Sequence, residues 1–493
     1  MTVGLQHYIA GEWVEGDGGL LTSANPARPA EVVASGRQAG AAEVDRAVAA
    51  ARRAARDWAR TPAHERGTVL LAAAAQLESN AMAWGLELAR EEGKTAAEGT
   101  GEVRRAAQIL RYYGNEGDRT AGEIFSSPRR GEKILVTRKP LGVVGVITPF
   151  NFPIAIPAWK IAPALAYGNT VVWKPASTVP LLAMRLAEAL DAAGLPAGVL
   201  NLLIGPGSMG NELVGHPELD GLTFTGSTGV GRRLAGQAAS LGVPMQAEMG
   251  GKNAAVVLAD ADLELAAEQV MFGAFRSTGQ KCTATSRLIV DHTVADEFLD
   301  RLRARLDAWT VGDPTDPAVH MGPVVNEAAR KSILAGIGTS VQQGARVVAG
   351  GGTGDGSFDA AGDDALTAGA FVAPTVLEVS DGANAGWREE FFGPVLTLRR
   401  AAGAEEAFGL ANDSEFGLSA AVFTQDITRA LDAVDDLDVG ILHINSESAG
   451  ADPHVPFGGA KKSGYGPKEQ GGAAKEFFTH TTTVYLRGDT PGA

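Results

Sequence analysis

Along the first quarter of the chain, apolar positions recur every three or four residues. Between residues 42 and 58, Ala and Val fall at that spacing among Arg and Glu, and the same texture continues to about Gly114. That period predicts successive helices, laid as a layer over a sheet. Ahead of them, residues 6–40 carry short β-type runs and turns, with His7-Tyr8-Ile9-Ala10-Gly11-Glu12-Trp13 reading as a small hairpin. Residues 133–140 predict an extended segment, with Ile134, Leu135 and Val136 between charged residues.

From Leu141 the pattern changes. Short β-branched runs at 141–147, 170–174, 199–204 and 221–225 alternate with helical stretches such as 181–193. Near-continuous apolar strands separated by helices predict a parallel, doubly wound sheet buried on both faces. Ligands of such sheets lie at the carboxyl ends of the strands. A second α/β unit is expected from about Gly250, with strands at 253–258 and 287–290, and a surface excursion at 350–369, rich in Gly, Asp and Ala. With no repeat or low-complexity linker, two interleaved α/β domains are expected.

Composition narrows the function classes. The chain has 493 residues, 20% charged and 45% hydrophobic, as in an ordinary globular protein of more than one domain. A formal net charge of −15 disfavours nucleic acid or an anionic membrane surface as the main partner. No apolar run reaches the roughly 18 residues of a bilayer-spanning helix. Met1 to Trp13 shows no basic segment followed by an apolar one, so a cytoplasmic location is expected.

Cys282 is the only cysteine, too few for an internal disulfide or a metal cage. A lone cysteine can be a small buried hydrophobe. Here Gly279-Gln280 suggests a turn that presents it, and the adjacent Lys281 is expected to favour the thiolate. Asn151 lies between Pro149 and Pro153 directly after the first long strand. The prolines hold its amide, as an oxyanion donor or as a local turn residue. Lys174 ends the second strand. Gly226-Ser227-Thr228-Gly229-Val230-Gly231 follows the fourth and is expected to open a helix near Arg232, as a pyrophosphate site would. Glu248 and Glu390 are candidate carboxylates; Glu248, if buried, could serve as a general base.

Together the motifs Phe150-Asn151-Phe152-Pro153, Lys174-Pro175-Ala176-Ser177, Phe224-Thr225-Gly226-Ser227-Thr228, Glu248-Met249-Gly250-Gly251-Lys252, Gly279-Gln280-Lys281-Cys282, Glu390-Phe391-Phe392-Gly393-Pro394 and Pro456-Phe457-Gly458-Gly459 occur in the order of the aldehyde dehydrogenase superfamily. The resemblance spans nearly the whole chain. It implies an α/β fold with a Rossmann-type cofactor domain (1–120 and 141–249), an α/β catalytic domain (250–464) and a β oligomerisation arm (121–140 and 465–493), hence a homodimer or homotetramer. It implies Cys282 as nucleophile, Asn151 and the Cys282 N–H as oxyanion donors and Glu248 as the base for hydrolysis. It places Thr148, Pro149, Phe150, Lys174, Ser177, Gly207, Gly226, Ser227, Gly231, Met249, Glu390 and Phe392 at the cofactor. A scaffold protein without activity is the competing class, and the joint presence of Cys282, Glu248 and Asn151 argues against it. CoA-acylating chemistry is a third class; Glu248 favours hydrolysis.

Within the superfamily, Gln280-Lys281-Cys282-Thr283-Ala284-Thr285-Ser286-Arg287 and His454-Val455-Pro456-Phe457-Gly458-Gly459 are most similar to the 2-oxoglutarate (α-ketoglutaric) semialdehyde branch; related branches take succinate semialdehyde or aromatic aldehydes. A substrate carboxylate would need a cation, for which Arg276 and Lys160 are candidates. In many NAD-preferring relatives a glutamate stands three residues after the strand-end lysine. Here that residue is Ser177, so NADP is expected to be preferred, with NAD also used.

Overall fold

The computed structural model describes residues 2–352 and 368–488. Most of the excursion expected at 350–369 lies outside the described residues. An eight-stranded sheet dominates the first unit, in the order Gly464–Tyr465, Met245–Glu248, Gly221–Thr225, Val143–Ile147, Thr170–Lys174, Leu200–Leu202, His7–Ile9 and Glu12–Val14. Its five central strands are parallel, and the His7–Ile9 and Glu12–Val14 hairpin adds an antiparallel edge. Every residue of Val143–Ile147, Thr170–Lys174 and Gly221–Thr225 is buried. The cause is cover on both faces: Ala155–Ala166 and Leu181–Ala192 pack on one side, Val44, Val48 and Leu234 on the other.

The chain lays down Val143–Ile147, steps outward through Thr170–Lys174 and Leu200–Leu202, then returns to add Gly221–Thr225 on the opposite side. That reversal opens a crevice at the carboxyl ends of Val143–Ile147 and Gly221–Thr225. A seven-stranded sheet in the second unit runs Arg346–Gly350, Thr375–Glu378, Val395–Ala401, Thr285–Asp291, Asn253–Val257, Ser419–Phe423 and Ile441–Ile444. Only Arg346–Gly350 runs antiparallel to its neighbour.

Three helices precede Val143–Ile147: α1 (Ala41–Arg60), α2 (Ala63–Glu92) and α3 (Ala96–Gly114). Gly93 ends α2 with φ 101°, and a Cβ there would lie 2.8 Å from the Pro323 carbonyl oxygen. Thr95 then caps α3, its hydroxyl accepting from the Glu98 N–H while Glu98 bonds back to the Thr95 N–H. The turn between α2 and α3 is therefore fixed at both ends.

A separate antiparallel sheet joins Gly122–Ser126, Glu132–Pro140 and Thr479–Arg487. Residues 465–478, expected in this arm, lie elsewhere. Tyr465 pairs with Ala247 at the edge of the first sheet, and the helix Ala474–Phe478 buries Ala474, Phe477 and Phe478 in the first core. Two adjacent Phe side chains gain more from that core than from a three-stranded ribbon with solvent on its face.

Candidate active site

The segment Arg276–Gly279 makes a tight bend after the helix Leu263–Phe275, with Ser277 and Thr278 at φ 54° and Gly279 at φ 67°. Three consecutive left-handed residues reverse the chain and deliver Cys282 into the cleft between the two sheets. Asn253 holds the far side of the segment, donating to the Cys282 and Ala284 carbonyls at 2.7 and 2.9 Å. Cys282 is half-buried and lines two cavities, one of about 430 Å³ facing the crevice of the first sheet and one of about 300 Å³ opening to the opposite side.

Burial pushes the Cys282 thiol up to about 12, with the nearby Glu390 and Glu248 adding to the rise. Lys281 does not supply the thiolate-favouring charge expected of it. Its ammonium is turned away to the Phe272 carbonyl (3.2 Å) and lies 3.7 Å from Glu447, and burial lowers its own pKa.

Asn151 is buried after the strand Val143–Ile147 and lines the larger cavity with Cys282. Glu248 ends its strand as a buried carboxyl that accepts from the Gly459 N–H at 3.0 Å. Desolvation, then the neighbouring Glu469, holds its pKa well above the usual carboxylate range. Glu248 lines neither cavity in this arrangement.

The crevice has the features of a dinucleotide cradle. Pro149, Phe150, Gly226, Ser227, Met249, Glu390 and Phe392 line the larger cavity, with Phe150 and Phe392 edge to face at 5.7 Å across it. The helix after Gly221–Thr225 runs Thr228–Ser240 with Ser227 at its N-cap, four residues earlier than expected. The first turn carries no acid, and the hydroxyls of Thr225 and Thr228 are buried without a hydrogen-bond partner among the described residues. Gly231 lies inside that helix, where a Cβ would stand 2.6 Å from the Met249 sulfur, so it serves close helix–strand packing. Thr148 accepts from the Trp173 indole N–H at 2.9 Å.

Lys174 is buried at its strand end, its side chain makes no hydrogen bond or ion pair among the described residues, and its ammonium is lowered to about 8 by desolvation. Glu390 accepts from the Gly251 N–H at 3.0 Å and is raised by burial to about 7. A Cβ at Gly250 would stand 2.0 Å from Glu390, so only glycine leaves room for the carboxylate there. Half-buried Ser177 follows Lys174, and exposed Gly207 follows Leu200–Leu202; neither lines the cavity. An uncompensated lysine, a raised carboxyl and unsatisfied hydroxyls at a helix start fit the hydroxyls and phosphates of a dinucleotide.

The sequence profile of the aldehyde dehydrogenase family matches residues 13–484. The chain belongs to the aldehyde dehydrogenase family. It is 42% identical over 483 residues to the alpha-ketoglutaric semialdehyde dehydrogenase of Bacillus subtilis (strain 168), covering 98% of each chain. It is 39% identical over 482 residues to the 2,5-dioxopentanoate dehydrogenase of Saccharolobus solfataricus, covering 97% of this chain and 98% of that one. Among solved structures, betaine aldehyde dehydrogenase from Staphylococcus aureus in complex with NAD+ superposes with a TM-score of 0.93 at 33% identity, covering 97% of this chain and 94% of that one. The protein is thus an oxidoreductase with the mixed α/β fold of this family.

On the other side of Cys282, this aldehyde dehydrogenase has a cavity with two chemical zones. Phe152, Trp159 and Phe457 form an aromatic wall, Trp159 and Phe457 at 5.3 Å between ring centres. Arg276 and Arg105 also line it, both partly exposed, as do Lys94 and the carboxylates of Glu98, Glu102 and Glu447. Arg276 stacks 3.6 Å over the Phe272 ring and sits 3.8 Å from Glu447; Arg105 pairs with Asp452 at 3.0 Å.

Lys160 is not at this cavity. Its ammonium is 1% exposed, bonds Thr223 at 2.9 Å and pairs with Glu469 behind Glu248. A lysine on a helix buried on every side has no solvent route to a substrate, so that expectation is corrected. Arg105, Trp159 and Phe457 were not assigned to the site from the sequence, although Phe457 stands in a family motif, because they come from separate elements that only the fold brings together. No helix among the described residues is long and apolar enough to cross a membrane.

Proposed function

We propose that this enzyme oxidises an aldehyde bearing a remote carboxylate, of the 2-oxoglutarate semialdehyde kind, to the acid with NADP as preferred cofactor. The observation that carries the reading is Cys282 at the junction of two cavities, a crevice suited to a dinucleotide on one side and an arginine-bearing tunnel on the other. Cys282 gives up its proton to water and its sulfur adds to the aldehyde carbon. The Asn151 amide and the Cys282 backbone N–H stabilise the oxyanion of the thiohemiacetal, a donor typically worth about 3 kcal/mol. A bound nicotinamide dinucleotide supplies the acceptor for the hydride that leaves that carbon. The resulting thioester on Cys282 is hydrolysed by a water from which Glu248 takes a proton. Lys174 and Glu390 hold ribose hydroxyls, and Ser227 with the helix start at Thr228 holds the pyrophosphate. The 42% identical semialdehyde dehydrogenase relative supports the substrate class.

The tunnel has an apolar stretch next to the sulfur and guanidinium groups beside it, as an aldehyde on a short methylene chain ending in a carboxylate requires. Arg276→Ala and Arg105→Ala are each expected to raise KM for 2-oxoglutarate semialdehyde about tenfold, equivalent to about 1.4 kcal/mol, with little change for propanal. The aromatic wall favours a second reading, an aromatic aldehyde. A kcat/KM panel of 2-oxoglutarate semialdehyde, succinate semialdehyde, benzaldehyde and propanal decides, and preference for a neutral member would overturn the semialdehyde reading.

For the cofactor, neutral Ser177 leaves a 2′-phosphate unopposed beside the Lys174 ammonium. The wild type is expected to favour NADP in kcat/KM, and Ser177→Glu to shift the ratio toward NAD at least tenfold. A strong wild-type preference for NAD would place the discrimination in another group. We further propose a cytoplasmic homodimer or homotetramer assembled through the three-stranded arm, whose Ile124, Phe125, Tyr485 and Leu486 are exposed on the single chain; sedimentation velocity tests it.

A further inference from the structure

The Asn151 amide makes no side-chain hydrogen bond of its own among the described residues, so its aim is set by the backbone of its loop. Two buried side chains hold that loop. Lys94, in the fixed turn between α2 and α3, donates to the Asn151 carbonyl and to Glu102 at 2.7 Å, and lies 3.7 Å over the Phe152 ring. Glu102, on the second turn of α3, uses its other oxygen to accept from the Ile154 and Ala155 N–H groups at 3.1 and 3.2 Å. The loop is thus held at both ends by one ion pair, its two side chains 1% and 2% exposed.

The same two turns of α3 reach the second oxyanion donor. Glu98 accepts at 2.7 Å from the N–H of Ser277, the first left-handed residue of the bend that delivers Cys282. Its other oxygen is occupied at the start of α3 by Thr95. Thr278 anchors the bend further by donating to the Gly322 and Pro323 carbonyls at 3.2 Å each. One rigid element therefore grips both segments that must converge on a single oxygen atom. Burying an ion pair gains little stability over apolar residues of the same size, so the pair is better explained by geometry.

We propose that Lys94, Glu98 and Glu102 are positioning residues that set the separation of the Asn151 amide and the Cys282 N–H. This rests on the assignment of those two groups as the oxyanion donors. A misplacement of about 1 Å in such a site costs on the order of 100-fold in rate.

The test uses p-nitrophenyl acetate, which needs no dinucleotide. The Cys282 sulfur forms a bond to the acyl carbon through a tetrahedral oxyanion, the carbon–oxygen bond breaks, and p-nitrophenolate leaves. The burst of p-nitrophenolate is measured for Glu102→Gln, Glu98→Ala, Asn151→Ala and the doubles with Asn151→Ala. The expected result is a loss of about 100-fold for Asn151→Ala and about tenfold for Glu102→Gln or Glu98→Ala alone. In the Asn151→Ala background, Glu102→Gln should then cost less than about twofold, because the donor it aims is already gone. Dinucleotide affinity should stay unchanged in Glu102→Gln and Glu98→Ala, which a general loosening of the fold would not allow.

If Glu102→Gln fails to fold, the Lys94→Met/Glu102→Gln pair, which removes both members of the Lys94–Glu102 ion pair together, takes its place. Equal costs of Glu102→Gln with and without Asn151 would overturn the inference while leaving the oxyanion assignment intact. An undiminished burst in Asn151→Ala itself would overturn both.

Discussion

Cys282→Ala is expected to abolish aldehyde oxidation, a loss on the order of a million-fold in kcat, the scale found when a nucleophile is removed. No other thiol can stand in, since the chain has a single cysteine. Dinucleotide affinity should change less than about twofold, because the groups proposed to hold it are strand ends and a helix start that do not depend on the sulfur. The free thiol should also be sluggish. With its pKa pushed up to about 12, only a small fraction is thiolate at neutral pH. Alkylation by iodoacetamide in the cofactor-free enzyme should therefore rise about tenfold per pH unit through pH 9. Residual oxidation in Cys282→Ala above a trace would sink the covalent mechanism. A pH-independent alkylation rate would show that another group lowers the thiol pKa.

The parallel sheets were legible in the sequence because buried strands leave short apolar runs, as at Val143–Ile147, recurring between helical stretches. Cys282 stood out by being alone, and Asn151 by its flanking prolines. What escaped was whatever depends on direction. Lys281 adjoins Cys282 in sequence, yet its side chain points to the Phe272 carbonyl and Glu447, and neighbours along a chain share no direction through a bend. Lys160 follows Trp159 by one residue, but on a helix that step turns the side chain by about 100°, from the tunnel to Glu469. Arg105 sits on a long amphipathic helix whose exposed face is rich in arginines, so nothing local sets it apart from Arg104. Its meaning comes only from the opposing Asp452 and from the tunnel that Arg105 lines. The segment 465–478 was misplaced for a similar reason. The arm boundary there came from the family resemblance, and only the fold shows Phe477 and Phe478 buried in the first core.

The other large effect is expected from Glu248→Gln. In the structure its carboxyl is buried, bonded to the Gly459 N–H, and pressed by Glu469 toward the protonated form, with Lys160 and Lys468 only partly offsetting that. A base must be ionised, so the thioester step should be slow at low pH and rise as the pH climbs through the raised Glu248 pKa. The carboxylate must also leave Gly459 and turn toward the sulfur, since it lines neither cavity as it stands. Glutamine preserves shape and cannot take the proton. Steady-state kcat should fall by about 10²- to 10⁴-fold, the usual worth of a positioned base. Attack by Cys282 and formation of the thioester precede this step, so a burst of reduced nicotinamide close to one per active site should survive, followed by a slow phase. Stopped-flow absorbance at several pH values separates the outcomes. The slow phase should lose its dependence on the Glu248 ionisation, leaving only the shallow rise due to hydroxide. A variant that loses the burst along with turnover would assign Glu248 to activation of the thiol instead, and a wild-type pH profile retained in the variant would assign the ionisation to another group.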